Sequence, residues 1–379
     1  MQKIFFGNNQ QSRLKSLIKS IKPNMIFLVT GDKSYLLSGS KKIIDEVSMG
    51  YKTYRFSNFS NDPKLEDVKN GVELIKKIKP DLIISIGGGS AIDMGKQINI
   101  LSKNTKDIKN IIIQKKHLKK SNIPLIAIPT TSGTGSESTS FSVMYIDKKK
   151  YSVESKYMIP DYAFIIPKLG NKMSKRLRAS TAFDAFSQAI ESYWSINSTK
   201  QSKTISSRAI KLIKENLTKS MKGNKQSRLH MYKAANLSGQ AINITKTTAA
   251  HAISYVISSK FNLQHGHSVA LTLGKFFKFN MPDSNKKISD PRGAKYLSRT
   301  MKTLYKILGF KNSKQCERYW YSSLNKLNLV TSFKKIGLTK QSDINYLVDK
   351  VDNNRLQNNP IYMSPESLKN LLNDLKKDR

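Results

Sequence analysis

Three histidines crowd into Ala250–Ser268 of a chain that has five in 379 residues. Imidazole is the commonest metal-ligating side chain and the usual proton carrier near neutral pH. His251 and His265 stand fourteen residues apart, and His267 follows two later. Upstream, Asp184 and Gln188 are four apart in a segment that reads as helix, so both fall on one face. One carboxylate and two imidazoles make a reasonable core for a borderline divalent cation. They suit equally a set of hydrogen-bonded histidines in a helical core. His117 and His230 sit among charged residues and read as surface positions.

Two other segments have the composition of anion cradles. Gly87–Lys96 reads GGGSAIDMGK and directly follows the apolar run Asp81–Ile86. Glycines let a backbone approach a phosphate closely, and a helix start offers free N–H groups and a positive dipole end. Gly88, Gly89 and Ser90 are the candidates to cradle a pyrophosphate. Asp93 and Lys96 either hydrogen-bond a cofactor, fix the loop or form a surface ion pair at helical spacing. The spacing is not GxGxxG, so a standard dinucleotide fingerprint is excluded. Pro129–Glu137 reads PTTSGTGSE and follows the apolar run Ile123–Ile128. Thr130, Thr131 and Ser136 offer hydroxyl donors to ribose, phosphate or an amide; a polar loop that caps the next helix has the same composition. Ligands of open α/β sheets bind at the carboxyl ends of strands, and both loops leave such ends.

The elements that position these residues follow from periodicity. Met25–Thr30, Tyr51–Phe56, Asp81–Ile86, Ile123–Ile128 and Tyr162–Ile166 read as strands, alternating with helices at Ser40–Val47 and Glu66–Ile78. That alternation implies a mainly parallel sheet. Beyond Pro167–Asn171 the pattern turns helical, with helices expected at Leu177–Trp194, Ile205–Leu217, Arg228–Ala241 and Ala249–Ser258. Ser332–Arg379 also reads as helix, interrupted around Asn353–Pro360. Two domains are therefore expected, 1–168 (α/β, Rossmann-like) and 169–379 (all-α).

The motifs, in this order and this two-domain setting, resemble the iron-containing alcohol dehydrogenases over nearly the whole chain. The resemblance implies a dehydroquinate synthase-like fold, with a dinucleotide-binding domain, a helical metal domain, and cofactor and substrate meeting between them. It implies NAD(P)H-linked alcohol or aldehyde oxidoreduction with Fe²⁺, or Zn²⁺, held by one Asp and three His. Here the ligands become Asp184, His251 and His265, while the remaining ligand position carries Gln188, a weaker ligand than imidazole. After the first long strand the family often has an Asp that binds the adenosine ribose. If Gly31 holds that position, NADPH is accommodated; if Asp32 does, NADH is favoured. The segments Phe183–Ser195 and Ala241–Ala249, the HGH run and Arg355–Pro360 (RLQNNP) are similar to the phosphonoacetaldehyde reductase branch. That likeness implies a small anionic aldehyde as substrate. Such an anion needs cations near the metal, for which Lys246 and Lys156 are candidates; the proton reaches the alkoxide through His267 or a water chain, and His267 reads equally as a satisfied core histidine.

Composition sets the outer bounds. The net charge is +40, from 66 basic and 26 acidic residues. The basic residues are spread along the chain with no zinc finger, RNA-reading signature or basic tail, which argues against nucleic acid as the partner. A diffuse positive field does attract anionic substrates. One cysteine, Cys316, rules out an internal disulfide and a multi-cysteine metal site. Met1–Ser20 lacks the apolar core of a signal peptide, and no stretch approaches a membrane span. A cytoplasmic protein, homodimeric as the family often is, is the expectation. Synthase-type relatives and a basic surface-binding protein are the rival classes, and the intact PTTSGTGSE segment argues against the first.

Overall fold

Six short strands, five of them rich in Ile, Val, Leu or Phe, pair into one parallel sheet. The fold comes from a computed structural model, which describes residues 2–104, 107–147 and 149–376. In chain order the strands are β1 (Lys3–Phe6), β2 (Met25–Thr30), β3 (Lys52–Phe56), β4 (Leu82–Gly87), β5 (Leu125–Pro129), β6 (Phe141–Ile146), β7 (Lys149–Glu154) and β8 (Tyr162–Ile165). The sheet order is β1-β8-β5-β4-β2-β3, every neighbour parallel, while β6 and β7 form a separate antiparallel pair. Period-two alternation is visible in β2. Phe27 and Val29 join the core under α4 (Leu65–Ile78) and α5 (Gly89–Leu101), which supply Val68, Val72, Met94 and Ile98. Ile26 and Leu28 join the opposite core, with Leu14 and Ile18 of α1 (Gln11–Ile21) and Ile43, Ile44 and Val47 of α3 (Ser40–Val47). A sheet buried on both faces needs continuous apolar strands, which is what the inner strands β2, β4 and β5 are. The short α2 (Asp32–Leu37) and α6 (Ile108–Ile113) complete the unit.

From β2 the chain moves outward to β3 and then returns to β4 on the other side of β2. The strand order reverses there, and the crevice beyond the carboxyl ends of β2 and β4 is the ligand position of an open α/β sheet.

The chain divides into two compact units at Met173/Ser174, five residues beyond the boundary read at 168. The reason is local. The turn Pro167–Gly170 stays with the first unit, because Lys168 donates from its backbone N to Asn8 Oδ1 (2.8 Å) and from Nζ to Gln11 Oε1 (2.7 Å).

The second unit is helical: α7 (Lys175–Trp194), α8 (Lys200–Met221), α9 (Lys225–Thr245), α10 (Ala249–Phe261), α11 (His265–Phe279), α12 (Gly293–Ile307), α13 (Ser313–Lys326), α14 (Gln341–Lys350), α15 (Asn353–Leu356) and α16 (Pro365–Asp374). α7 is the central helix. Its Phe183 and Phe186 pack on Trp320 of α13 with ring centroids 5.0 and 5.2 Å apart, and Trp194 meets Phe277 of α11 edge-on at 5.9 Å. The helical tail expected over Ser332–Arg379 is two helices with the short α15 inside the expected interruption; its last three residues lie outside the described ones. Sequence reading missed β1, α1 and the β6–β7 pair. β1 is a four-residue edge strand, too short for a pattern to emerge. No helix among the described residues is long and apolar enough to cross a membrane.

Candidate active site

In the first unit the GGGSAIDMGK segment spans the β4–α5 turn. Gly87 ends β4 at φ +155, where a side chain is strained, and a Cβ there would lie 2.7 Å from the Ala91 Cβ. Gly95 lets α5 press onto β4, since a Cβ would meet Ser85 Oγ at 2.6 Å. Gly89 opens α5, with Gly88 as its N-cap in extended conformation. The following PTTSGTGSE loop is tied back to this turn, as Thr130 N donates to Gly87 O at 2.8 Å. Thr131 lies beside Gly88, 3.7 Å from a Cβ built there. Ser90 Oγ donates to Asn61 O.

Asp93 and Lys96 face the loop. The Lys96 side chain is fully buried, and its Nζ donates to Ser136 O (3.0 Å), Thr139 Oγ1 (2.9 Å) and Phe141 O (2.5 Å). Asp93 accepts from Ser136 Oγ and from Val143 N at 2.9 Å. Its carboxyl is held above the usual range by burial, against the pull of Lys96 at 3.9 Å. The structure therefore places both residues as a clamp on Ser136–Val143, the loop-fixing alternative among those the sequence left open. Ser136 is occupied in the same network.

After β2, Gly31 occupies the position preceding α2 and Asp32 is the first residue of that helix, its side chain 76% exposed. Arg55, one position before the end of β3, reaches across. Its Nε donates to Thr30 Oγ1 (2.8 Å), its Nη2 to Asp32 O (3.3 Å), and its guanidinium lies 4.8 Å over the Tyr35 ring. Arg55 was not among the residues singled out from sequence.

In the second unit, α7 carries Ser180, Asp184, Gln188 and Glu191 along one stripe. Asp184 Oδ1 lies 3.4 Å from His251 Nε2 and 3.8 Å from His265 Nε2, and one ligand atom from each lies within 4.8 Å of the others. Metal–ligand bonds of about 2.0–2.2 Å place neighbouring ligand atoms at such separations. The buried His251 Nε2 makes no hydrogen bond, so the ring presents an imidazole lone pair or proton to the cluster centre. The three residues thus fit a divalent cation. Gln188 is buried one turn beyond Asp184 on α7.

Glu191, missed in the sequence, holds the cluster from behind. Its fully buried carboxylate accepts from His251 Nδ1, His251 N (3.2 Å), Thr248 N (3.0 Å) and Thr248 Oγ1 (2.8 Å). A carboxylate on the far ring nitrogen fixes the tautomer and orients the ligand. Burial opposes a charge on His251, but Glu191 and Asp184 outweigh it and raise the imidazole to about 9. The pocket is built for positive charge.

Gly266 explains the HGH run. A Cβ at Gly266 would lie 2.1 Å from Ser180 O and 2.7 Å from Asp184 Cβ. Only a glycine lets α11 start against α7, and that contact sets His265 beside Asp184. His267 takes the place of a hydrogen-bonded core histidine, one of the alternatives that the sequence left open. Its backbone N donates to Ser180 Oγ (3.1 Å), its Nε2 bonds Val330 O (3.0 Å), and burial lowers its pKa. It anchors α11. Lys246 ends α9 at φ 60, one residue from the Thr247–Thr248 bend that leads into His251.

The comparisons with known proteins run along the same division. The family model described as iron-containing alcohol dehydrogenase matches residues 1–167, and the C-terminal model of the Fe-containing alcohol dehydrogenase family matches residues 178–375. The long-chain-alcohol dehydrogenase 1 of Geobacillus thermodenitrificans is 31% identical over 65% of this chain and 65% of its own length. The phosphonoacetaldehyde reductase of Streptomyces viridochromogenes is 30% identical over 62% of each. The chain thus spans just under two thirds of either curated relative. The structure of sulfoacetaldehyde reductase from Bifidobacterium kashiwanohense, in complex with NAD⁺, superposes with a TM-score of 0.88 at 26% identity, covering 100% of this chain and 98% of that one.

Proposed function

Because the chain belongs to the iron-containing alcohol dehydrogenase family, we propose that it is a metal-dependent, NADPH-linked reductase of a small anionic aldehyde, converting phosphonoacetaldehyde to 2-hydroxyethylphosphonate. The observation that carries this reading is the Asp184–His251–His265 cluster, its first two members buried, backed by Glu191. When bound, a divalent cation supplies Lewis acidity at an aldehyde oxygen, and the reduced nicotinamide supplies the hydride. Aldehyde, NADPH and one proton give the alcohol and NADP⁺. Asp184, His251 and His265 would hold the cation, with Gln188 on the same face of α7. Gly88, Gly89 and Thr131 would admit the pyrophosphate.

The substrate class is supported by two relatives, whose names specify two-carbon aldehydes with a phosphonate or a sulfonate on the second carbon. The net charge of +40 favours capture of such an anion. NADPH is proposed because Gly31 leaves no carboxylate directly after β2, and Arg55 stands at that strand end to meet a 2′-phosphate.

The test is cofactor oxidation with phosphonoacetaldehyde beside butyraldehyde, using NADPH and NADH, on protein loaded anaerobically with Fe²⁺ or with Zn²⁺. Turnover favouring the phosphonate and NADPH is expected. Activity on butyraldehyde alone would keep the reductase and reject the substrate. No turnover of either, with metal and cofactor bound, would reject the reaction.

A further inference from the structure

The run Asn353–Pro360 interrupts the helical C-terminal region, and the proposed reaction above gives none of its side chains a task. It carries α15, and α15 carries Arg355. The guanidinium lies 4.9 Å over the ring of Tyr255. Tyr255 stacks on His265 at 5.4 Å and 3° between planes. His265 in turn lies 3.8 Å from Asp184. A cation is therefore held one aromatic ring away from a metal ligand, within the second unit.

That position is built. Asn358, three residues on, donates from Nδ2 to Thr245 O and Thr247 O, both at 2.8 Å, and accepts at Oδ1 from Ser195 Oγ and Asn197 Nδ2, both at 2.9 Å. These bonds fasten the segment to the bend that leads into His251. Arg355 has one acidic neighbour, Asp352, whose Oδ2 is 3.6 Å from Nε with the carboxylate 48% exposed. The contact is long and solvated, and it touches the Nε edge. The Arg355 side chain is 27% exposed, and its guanidinium keeps a fork of donors for a further acceptor. A planar fork matches two oxygens of a tetrahedral oxyanion, which a lysine ammonium cannot do.

Resting on the reading of the preceding subsection, we propose that Arg355 is the residue that recognises the anionic end of the substrate, a phosphonate or sulfonate separated by one carbon from the aldehyde. The aldehyde oxygen belongs at the Asp184–His251–His265 cluster. The cation–ring–ligand stack fixes the head group of Arg355 for this role.

The test compares Arg355→Gln and Arg355→Lys with the unaltered full chain, each loaded with Zn²⁺. Loss of a charge-assisted pair predicts a KM for phosphonoacetaldehyde raised roughly 10- to 100-fold in Arg355→Gln, partly restored in Arg355→Lys, with butyraldehyde kinetics and bound zinc unchanged. Equal loss on both aldehydes together with lost zinc would overturn the proposal and make Arg355 a support for Tyr255 and His265. If the unaltered enzyme reduces no aldehyde, the proposed reaction fails while the anion site is still read by calorimetric titration with 2-hydroxyethylphosphonate. Binding that weakens in Arg355→Gln supports the assignment, and binding that is absent or unchanged overturns it.

Discussion

Glu191 has no exposed surface, yet it brings a negative charge into the core of the helical unit. Such a charge is costly unless every lone pair finds a donor, and here four donors from Thr248 and His251 converge on it. Its work is to aim the imidazole. Glu191→Gln keeps the shape but sets an amide N–H₂ or a weaker acceptor against His251 Nδ1. Zinc affinity is expected to fall about 10- to 100-fold, with the helical content unchanged. Competition with a chromophoric chelator measures it, and an unaltered affinity would refute the supporting role. Asp184, His251 and His265 were legible in the sequence because carboxylate and imidazole are rare in apolar helical surroundings and the spacing repeats a family pattern. Glu191 was not. It differs from a surface glutamate only through what α10 brings to it, a tertiary fact. Arg55 was hidden by abundance, one among 66 basic residues, and Arg355 stood out only as the start of the RLQNNP run, with no role assigned.

At the scale of elements, the β4–α5 turn and the Pro129–Glu137 loop act as one piece, and Lys96 is the pin. Its ammonium is enclosed by loop oxygens and paired with Asp93, whose side chain is 14% exposed. Lys96→Met fills much of the same volume but leaves the Asp93 carboxyl without its cation. A loss of about 3–5 kcal/mol is expected for breaking a buried pair on one side, read as a shift of the urea midpoint. Asp93→Asn placed on top of Lys96→Met should recover part of it, since the second change removes the stranded charge. Recovery of nothing would mean that the loop contacts, and not the charge pair, carry the effect. The strands and helices flanking this turn were readable because apolar runs ending in glycine or proline are short-range signals. The helix ends were less so. α8 begins at Lys200, five residues before Ile205, because Thr199 and Ser202 form a capping box that the hydrophobic pattern does not register. The β6–β7 pair lay outside the alternation of strand and helix that guided the reading, and its main contacts run to α5 through Lys96 and Gln97.

For the whole molecule, the decisive feature is that the chain has separate cores. The parallel sheet is buried between two apolar layers of its own, and the helical unit is centred on α7, Trp194 and Trp320. The phosphate-type loops lie wholly within the first unit, and the cation cluster wholly within the second. A ligand that binds the folded form stabilises only the cooperative unit whose unfolding destroys its site, by RT ln(1 + [L]/Kd), which is about 2.7 kcal/mol at a hundred times Kd. Calorimetry on the chelator-treated chain should therefore show two transitions. Zinc should raise one of them and leave the other where it was; NADPH alone should raise the second. In Asp184→Ala the zinc-sensitive shift should vanish while the NADPH shift persists, since that substitution removes a proposed cation ligand that belongs to the second unit. A single transition moved by both ligands would show instead that the two cores unfold as one, so that binding at either site stabilises the other.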